Sequence, residues 1–147
     1  DAVTIAPYMG ADSVTPFLEY KDKWAIVLAL TSNASAYQFQ TAVKDGKPLY
    51  QAVMEEMMEI STPDNMMFVV GATKADKLQE LRSFCQDNFF LVPGVGAQGG
   101  SAEEVIANGA NDHGGLLINS SRAILFADST ENYAKVAGEV AAVTANL

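Results

Sequence analysis

Short unbroken apolar runs alternate along the whole chain with longer stretches in which apolar residues recur at helical spacing. The short runs, at 2–6, Trp24–Leu30, Met66–Val70, 89–92 and 115–119, have strand length. Trp24–Leu30 has no interleaved polar position, the mark of a strand buried on both faces. Between them the spacing predicts helices. After Pro48 a helix places Leu49, Val53, Met57 and Ile60 on one face, with Glu55, Glu56 and Glu59 mostly off it. A helix over 74–87 turns Leu78, Leu81 and Cys85 or Phe84 inward, and a short one follows over 102–108. A final amphipathic helix over 130–146 has Tyr133, Val136, Val140 and Val143 facing inward. A short helix through Pro16-Phe17-Leu18 is expected to be capped by Asp12 or Ser13. The least regular connection is 35–61, where Asp45-Gly46 marks a tight turn with a small hairpin or a helical piece on its N-terminal side.

Such alternation describes stacked β-α units around a parallel sheet. Two architectures accommodate it: a flavodoxin-like sheet with helices on both sides, or the latter part of an eight-stranded barrel. The strand ends favour the barrel. Pro7-Tyr8, Thr31-Ser32-Asn33, Gly71-Ala72-Thr73, Gly94 with Gly96, and Ser120-Ser121 are all small or polar, as if every strand fed one ring of loops. The first residues, Asp1-Ala2-Val3-Thr4-Ile5-Ala6, open directly in a strand-like run, which reads as the middle of a fold.

The loop after the fourth apolar run is the densest signal. Pro93-Gly94-Val95-Gly96-Ala97-Gln98-Gly99-Gly100 joins a strand to a helix start at Ser101-Ala102-Glu103-Glu104. Its glycines remove side-chain bulk, so several backbone N–H groups can converge on one anion. Gly94, Gly96 and Gly99 also fit the dinucleotide pattern G-x-G-x-x-G. That fingerprint requires an acidic residue closing the next strand, and this one closes in Asn119 and Ser120, with Asp112 lying before it. A phosphate cradle is the better reading.

Composition narrows the classes. The 147 residues are 49% apolar, enough for one core, and hold no apolar stretch long enough to cross a membrane as a helix. A net charge of −9 leaves no basic stripe for nucleic acid, so any bound anion must be gripped locally. The single cysteine, Cys85, fits a reducing cytoplasm and reads as a buried inert thiol. The methionines near Met66 read as core filling, and no His, Cys or carboxylate cluster has metal-ligand spacing. The lone histidine, His113, sits in a polar turn before a strand and is expected to be a surface residue.

Two side chains stand out as ligand contacts. Arg122 follows two serines in the first turn after a strand, where a guanidinium can share a phosphate with the glycine loop. Gln98 is the one large polar side chain inside that loop, able to donate and accept at once. No acid or base is evident at the strand ends, so the residues describe the binding half of a site without its catalytic half.

These motifs resemble the orotidine 5′-phosphate decarboxylase family in its longer bacterial form. The resemblance runs through Asp1-Ala2-Val3-Thr4 to Pro7-Tyr8-Met9-Gly10, Leu30-Thr31-Ser32-Asn33, Val70-Gly71-Ala72-Thr73, the Pro93 to Gly100 loop and Ser120-Ser121-Arg122. It implies a TIM-type (β/α)8 barrel of which this chain, 1–147 as one C-terminal portion, gives strands four to eight. By the same resemblance Gln98 bridges phosphate and pyrimidine, and Arg122 binds the 5′-phosphate. Backbone N–H groups of Gly99, Gly100 and Ser121 assist. The Thr31, Ser32 and Asn33 turn lies by the pyrimidine amide without the side chain being assigned. Pro7 matches in pattern, although the family often has Asn where this chain has Ala6.

The implied reaction converts orotidine 5′-phosphate to UMP and CO₂ in pyrimidine biosynthesis without metal or cofactor. The family's catalytic Asp-x-Lys-x-x-Asp segment is absent from this sequence. In the family its ammonium stabilises the carbanion-like transition state and then protonates the carbon. No catalytic residue is therefore expected here, the chain alone is expected to be inactive, and strands one to three are expected from a companion or upstream piece. A homodimer with sites at the subunit interface is likewise implied. Another phosphate-binding barrel enzyme, such as a sugar-phosphate aldolase or synthase, and a non-catalytic half-barrel that binds phosphorylated ligands are the alternatives.

Overall fold

In the computed structural model, which describes residues 1–95 and 100–146, every apolar run of strand length forms a strand. The elements in order are β1 (Ala2–Ile5), α1 (Thr15–Leu18), β2 (Trp24–Leu30), β3 (Val43–Lys44), β4 (Lys47–Pro48), α2 (Leu49–Glu59) and β5 (Met66–Val70). Then follow α3 (Ala75–Phe84), β6 (Phe89–Pro93), α4 (Ala102–Gly109), β7 (Leu116–Asn119), α5 (Arg122–Leu125) and α6 (Tyr133–Ala145). The tiny β3 and β4 pair as a hairpin around Asp45-Gly46, both with positive φ, and a 3-10 turn, Ala34–Gln38, precedes them. The irregular connection thus contains both the hairpin and the helical piece.

The main sheet has five strands in the order β1-β2-β5-β6-β7, all parallel. Each strand lies beside the next one in sequence. A doubly wound sheet reverses its order at a switch point, and this one does not, so the topology is that of consecutive barrel units.

Helices cover one face. Ala25, Val27, Phe68, Val70, Phe90 and Val92 point from the sheet into a cluster with Tyr50, Met54 and Met57 of α2, Leu78 and Leu81 of α3, and Ala102 and Val105 of α4. Phe68 and Phe90 are fully buried, each contributing roughly 1.5–3 kcal/mol by leaving water. On the opposite face lie Trp24, Met67, Phe89 and Leu91, half-exposed, with Trp24 and Phe89 edge to face at a centroid separation of 6.3 Å. An apolar sheet face without helices on it is the lining of a barrel interior.

Three expectations are corrected. The inner face of α2 is centred on Tyr50, Met54 and Met57; Leu49, Val53 and Ile60 are only partly covered. Apolar side chains at 49, 50, 53, 54, 57 and 58 make a stripe wide enough to set the helix period without fixing which edge turns inward. No residue of α6 is buried, and Tyr133 and Val143 are exposed, because this helix packs mainly on α5 and its apolar stripe meets little else. Neither Asp12 nor Ser13 caps α1; its N-cap is Val14, and the Ser13 hydroxyl donates back to the Gly10 carbonyl at 2.7 Å.

Cys85 is buried, and burial pushes its thiol up to about 12. Thiolate is therefore scarce at neutral pH. A maleimide or disulfide reagent at pH 8 is expected to leave the folded chain unlabelled and to modify Cys85 only after denaturant unfolds it. Met54, Met57 and Met66 are core residues as expected, and His113 is exposed in its turn, its N–H donating to Asn111 Oδ1 at 3.0 Å.

Candidate active site at the strand ends

The C-terminal ends of β2, β5, β6 and β7 meet one another in sequence. At β2, Thr31-Ser32-Asn33 turns back over the end of β5, where the Gly71 N–H donates to the Leu30 carbonyl at 2.8 Å. The approach is so close that a Cβ on Gly71 would lie 2.0 Å from Ser32 Oγ and 2.6 Å from Ser32 N. Only glycine fits there. Gly71→Ala is expected to displace the Ser32 turn, readable as large amide shifts at residues 31–33 in an NMR spectrum while those of β6 and β7 stay in place.

That hydroxyl is the one buried side-chain polar atom without a hydrogen-bond partner among the described residues. A buried unpaired hydroxyl costs on the order of 1–3 kcal/mol, a cost that a bound polar group would remove. Neighbouring Thr31 is fully engaged: its N–H donates to Gln40 Oε1 at 2.8 Å, and its hydroxyl receives Gln40 Nε2 at 2.8 Å and donates to Asn33 Oδ1 at 2.5 Å. Asn33 itself is exposed and donates onward to Ser35 Oγ at 3.2 Å.

The glycine loop is seated on the end of β5. Gly94 has φ 97°, which favours glycine, and Val95 bridges to Gly100 in a parallel pair. A Cβ on Gly100 would fall 2.4 Å from Ala72 Cβ, so the foot of the loop requires glycine for close packing. Gln98 and Gly99 lie outside the described residues. Beyond the loop, Ser101 Oγ accepts the Glu104 N–H at 3.2 Å and donates to Glu103 Oε2 at 2.7 Å, and that hydroxyl lowers the Glu103 carboxyl below its ordinary range. The first turn of α4 thus already holds carboxylates against its dipole.

Arg122 stands beside the foot of the loop. It opens α5 after Ser121, whose hydroxyl donates to Asn119 Oδ1 at 3.3 Å. With Ser120, Ser121 and Asn119 it lines an open hollow of about 220 Å³ whose other wall is Pro93, Gly94 and Val95. Arg122 is exposed and, among the described residues, has no ion pair or side-chain hydrogen bond. The hollow unites the foot of the glycine loop with the guanidinium, as their spacing in sequence suggested. Pro7 stands apart: it begins a 3-10 turn after β1 and borders a separate, apolar cavity of about 530 Å³ with Leu28, Phe39, Leu49 and Val53.

A family model described as orotidine 5′-phosphate decarboxylase / HUMPS matches residues 1–137. The chain belongs to this family. It is 53% identical over 142 residues to the orotidine 5′-phosphate decarboxylase of Phocaeicola vulgatus, covering 96% of this chain and 52% of that protein. With the enzyme of the same name from Christiangramia forsetii it shares 52% identity over 146 residues, covering 99% of this chain and 54% of that protein. Among solved structures, Leishmania donovani UMP synthase superposes with a TM-score of 0.80 at 37% identity, covering 97% of this chain and 33% of that one. A Plasmodium yoelii protein titled a putative orotidine-monophosphate-decarboxylase gives 0.81 at 28% identity, covering 95% and 47%.

This family member therefore spans about half the length of the curated relatives it matches. Its sheet is part of the family's TIM-type barrel, and the flavodoxin-like alternative is set aside. Identity of 53% and 52% to proteins named orotidine 5′-phosphate decarboxylase disfavours a sugar-phosphate aldolase or synthase. Gln40 and the close approach at Gly71 carry no signal in the sequence, since one is a contact across nine residues and the other a meeting of two strand ends.

Proposed function

We propose that this chain is the C-terminal, phosphate- and base-binding portion of one barrel domain of an orotidine 5′-phosphate decarboxylase, the enzyme that forms UMP and CO₂. The observation that carries the reading is the hollow in which Arg122, without a side-chain partner among the described residues, stands across from the foot of the glycine loop. In this reading Arg122 and the N–H groups of Gly99, Gly100 and Ser121 hold the 5′-phosphate, and Gln98 reaches from phosphate to pyrimidine. The unpaired Ser32 hydroxyl meets the pyrimidine amide, which gives that atom the partner it lacks in the free protein. Thr31 and Asn33 hold the turn, and Pro7 marks the rim on the β1 side.

Contacts far from the reacting carbon lower the barrier there when they are stronger in the transition state than in the free substrate. The charged groups that act on that carbon belong to the Asp-x-Lys-x-x-Asp segment, which this sequence lacks. Strands supplied from elsewhere would complete the barrel between β1 and β7, the two open edges of the sheet. Exposed Tyr8, Met9 and Phe39 near the strand ends offer an apolar surface for a second copy in a homodimer. A cytoplasmic location belongs to the same reading.

Ser32→Ala tests the base contact. UMP affinity is expected to fall about tenfold, the value of one hydrogen bond to a buried hydroxyl, while affinity for ribose 5-phosphate is unchanged. Equal losses for both ligands would remove Ser32 from the base site.

A further inference from the structure

The Ser32 hydroxyl has no hydrogen bond among the described residues, so something else must fix where it points. The backbone around it is held by one side chain from outside the turn. Gln40 uses both ends of its amide on Thr31: Oε1 accepts the Thr31 N–H at 2.8 Å, and Nε2 donates to Thr31 Oγ1 at 2.8 Å. Receiving that proton commits the Thr31 hydroxyl to donate to Asn33 Oδ1, at 2.5 Å, which closes the turn over Ser32. One residue thus sets the polarity of the whole chain of hydrogen bonds.

Gln40 is itself anchored on two sides. Its N–H donates to the Ala36 carbonyl at 2.9 Å, and its carbonyl accepts the N–H of Tyr50, a buried residue in the first turn of α2. Gln40 also borders the apolar cavity beside Pro7. The strand end at β2 is therefore tied through Gln40 to the packed face of α2. Gly71, from the other side, leaves the turn no room to relax toward β5.

We infer that Gln40 is a positioning residue for base recognition: it holds the Thr31-Ser32-Asn33 turn so that Ser32 Oγ presents its hydrogen-bonding atoms to a pyrimidine amide. The inference rests on the reading that Ser32 meets the base. It assigns to Gln40 an effect on the base and none on the phosphate, because Gln40 lines the β1–β2 side and Arg122 the β6–β7 side.

The test is calorimetric titration of the 147-residue chain with UMP and, separately, with ribose 5-phosphate, which keeps the phosphate and lacks the base. In Gln40→Leu, UMP affinity is expected to fall about fivefold to tenfold, with ribose 5-phosphate unchanged. Gln40→Glu keeps the acceptor for the Thr31 N–H and loses the donor to Thr31 Oγ1, so a smaller loss is expected, and this variant serves if Gln40→Leu fails to fold. In a Ser32→Ala background the Gln40 substitution is expected to add nothing, since both act through one hydroxyl. Unchanged UMP affinity in the Gln40 variants, parallel loss of both ligands, or full additivity with Ser32→Ala would overturn the positioning role alone. A folded wild-type chain that binds UMP no better than ribose 5-phosphate would overturn the base site itself, and the role of Gln40 with it.

Discussion

Arg122→Ala is expected to lower kcat/KM for orotidine 5′-phosphate by about 10- to 100-fold in the completed enzyme, the loss of a charge-assisted phosphate contact. The melting temperature should stay within about 2 °C, because an exposed side chain without a partner among the described residues contributes little to stability. The physical contrast is between an exposed cation with no side-chain partner among the described residues and the open hollow that it lines. Arg122→Lys should recover only part of the loss, since an ammonium lacks the planar fork of a guanidinium. Kinetics on the substrate together with a thermal melt checks both halves. Normal kinetics, or a collapse in stability, would show that Arg122 serves some other purpose.

The largest stability effect is expected at the other arginine of the helical layer. Arg82 in α3 reaches under the sheet and donates to the carbonyls of Gly109, Cys85, Gln86, Asn88 and Gly115 at 2.8 to 3.0 Å. Its guanidinium lies 4.0 Å from the centroid of the Phe90 ring. Burial shifts its pKa downward. Those carbonyls come from the C-terminal ends of α3 and α4 and from the entries to β6 and β7, so one side chain ties two β-α units together. Arg82→Ala strands several of them and removes the stem from its packing, at a cost of roughly 3–5 kcal/mol. For a chain of this size that lowers the melting temperature by about 10–16 °C. Arg82→Lys should be nearly as damaging, because three donors on one nitrogen cannot fan out over this set. A melt within about 2 °C of wild type would mean that water replaces the lost donors without penalty.

What the sequence revealed follows from which interactions are periodic. The strands were readable because unbroken apolar runs such as Trp24–Leu30 and Met66–Val70 admit few other structures at that length. Helix α2 was readable as a helix, but its face was placed one residue early, since Leu49 and Val53 are as apolar as Tyr50 and Met54. The first pair borders the cavity beside Pro7, and the second enters the core. For α6 the period was right and the burial was not, because periodicity reports an amphipathic helix without reporting what lies against it.

The site divides in the same way. Glycines, serines and Arg122 are local in sequence and announce a phosphate cradle. The roles of Ser32, Gly71 and Gln40 come from non-local approach: an unpaired hydroxyl, a missing Cβ and an amide nine residues away. Arg82 gave no warning either. On an exposed-looking helix it reads as a solvated charge, and only the meeting of α3 with the ends of α4 and the starts of β6 and β7 surrounds it with carbonyls.

The central claim is that these residues form the phosphate- and base-binding portion of a decarboxylase whose acting charges lie in another segment. The most direct measurement is CO₂ release from orotidine 5′-phosphate by a fusion of this chain to the N-terminal part of the Phocaeicola vulgatus enzyme, which is 53% identical where the two overlap. The 147-residue chain alone is the control. Turnover is expected from the fusion and none from the chain alone. A fusion that melts cooperatively yet neither binds UMP nor releases CO₂ would contradict it.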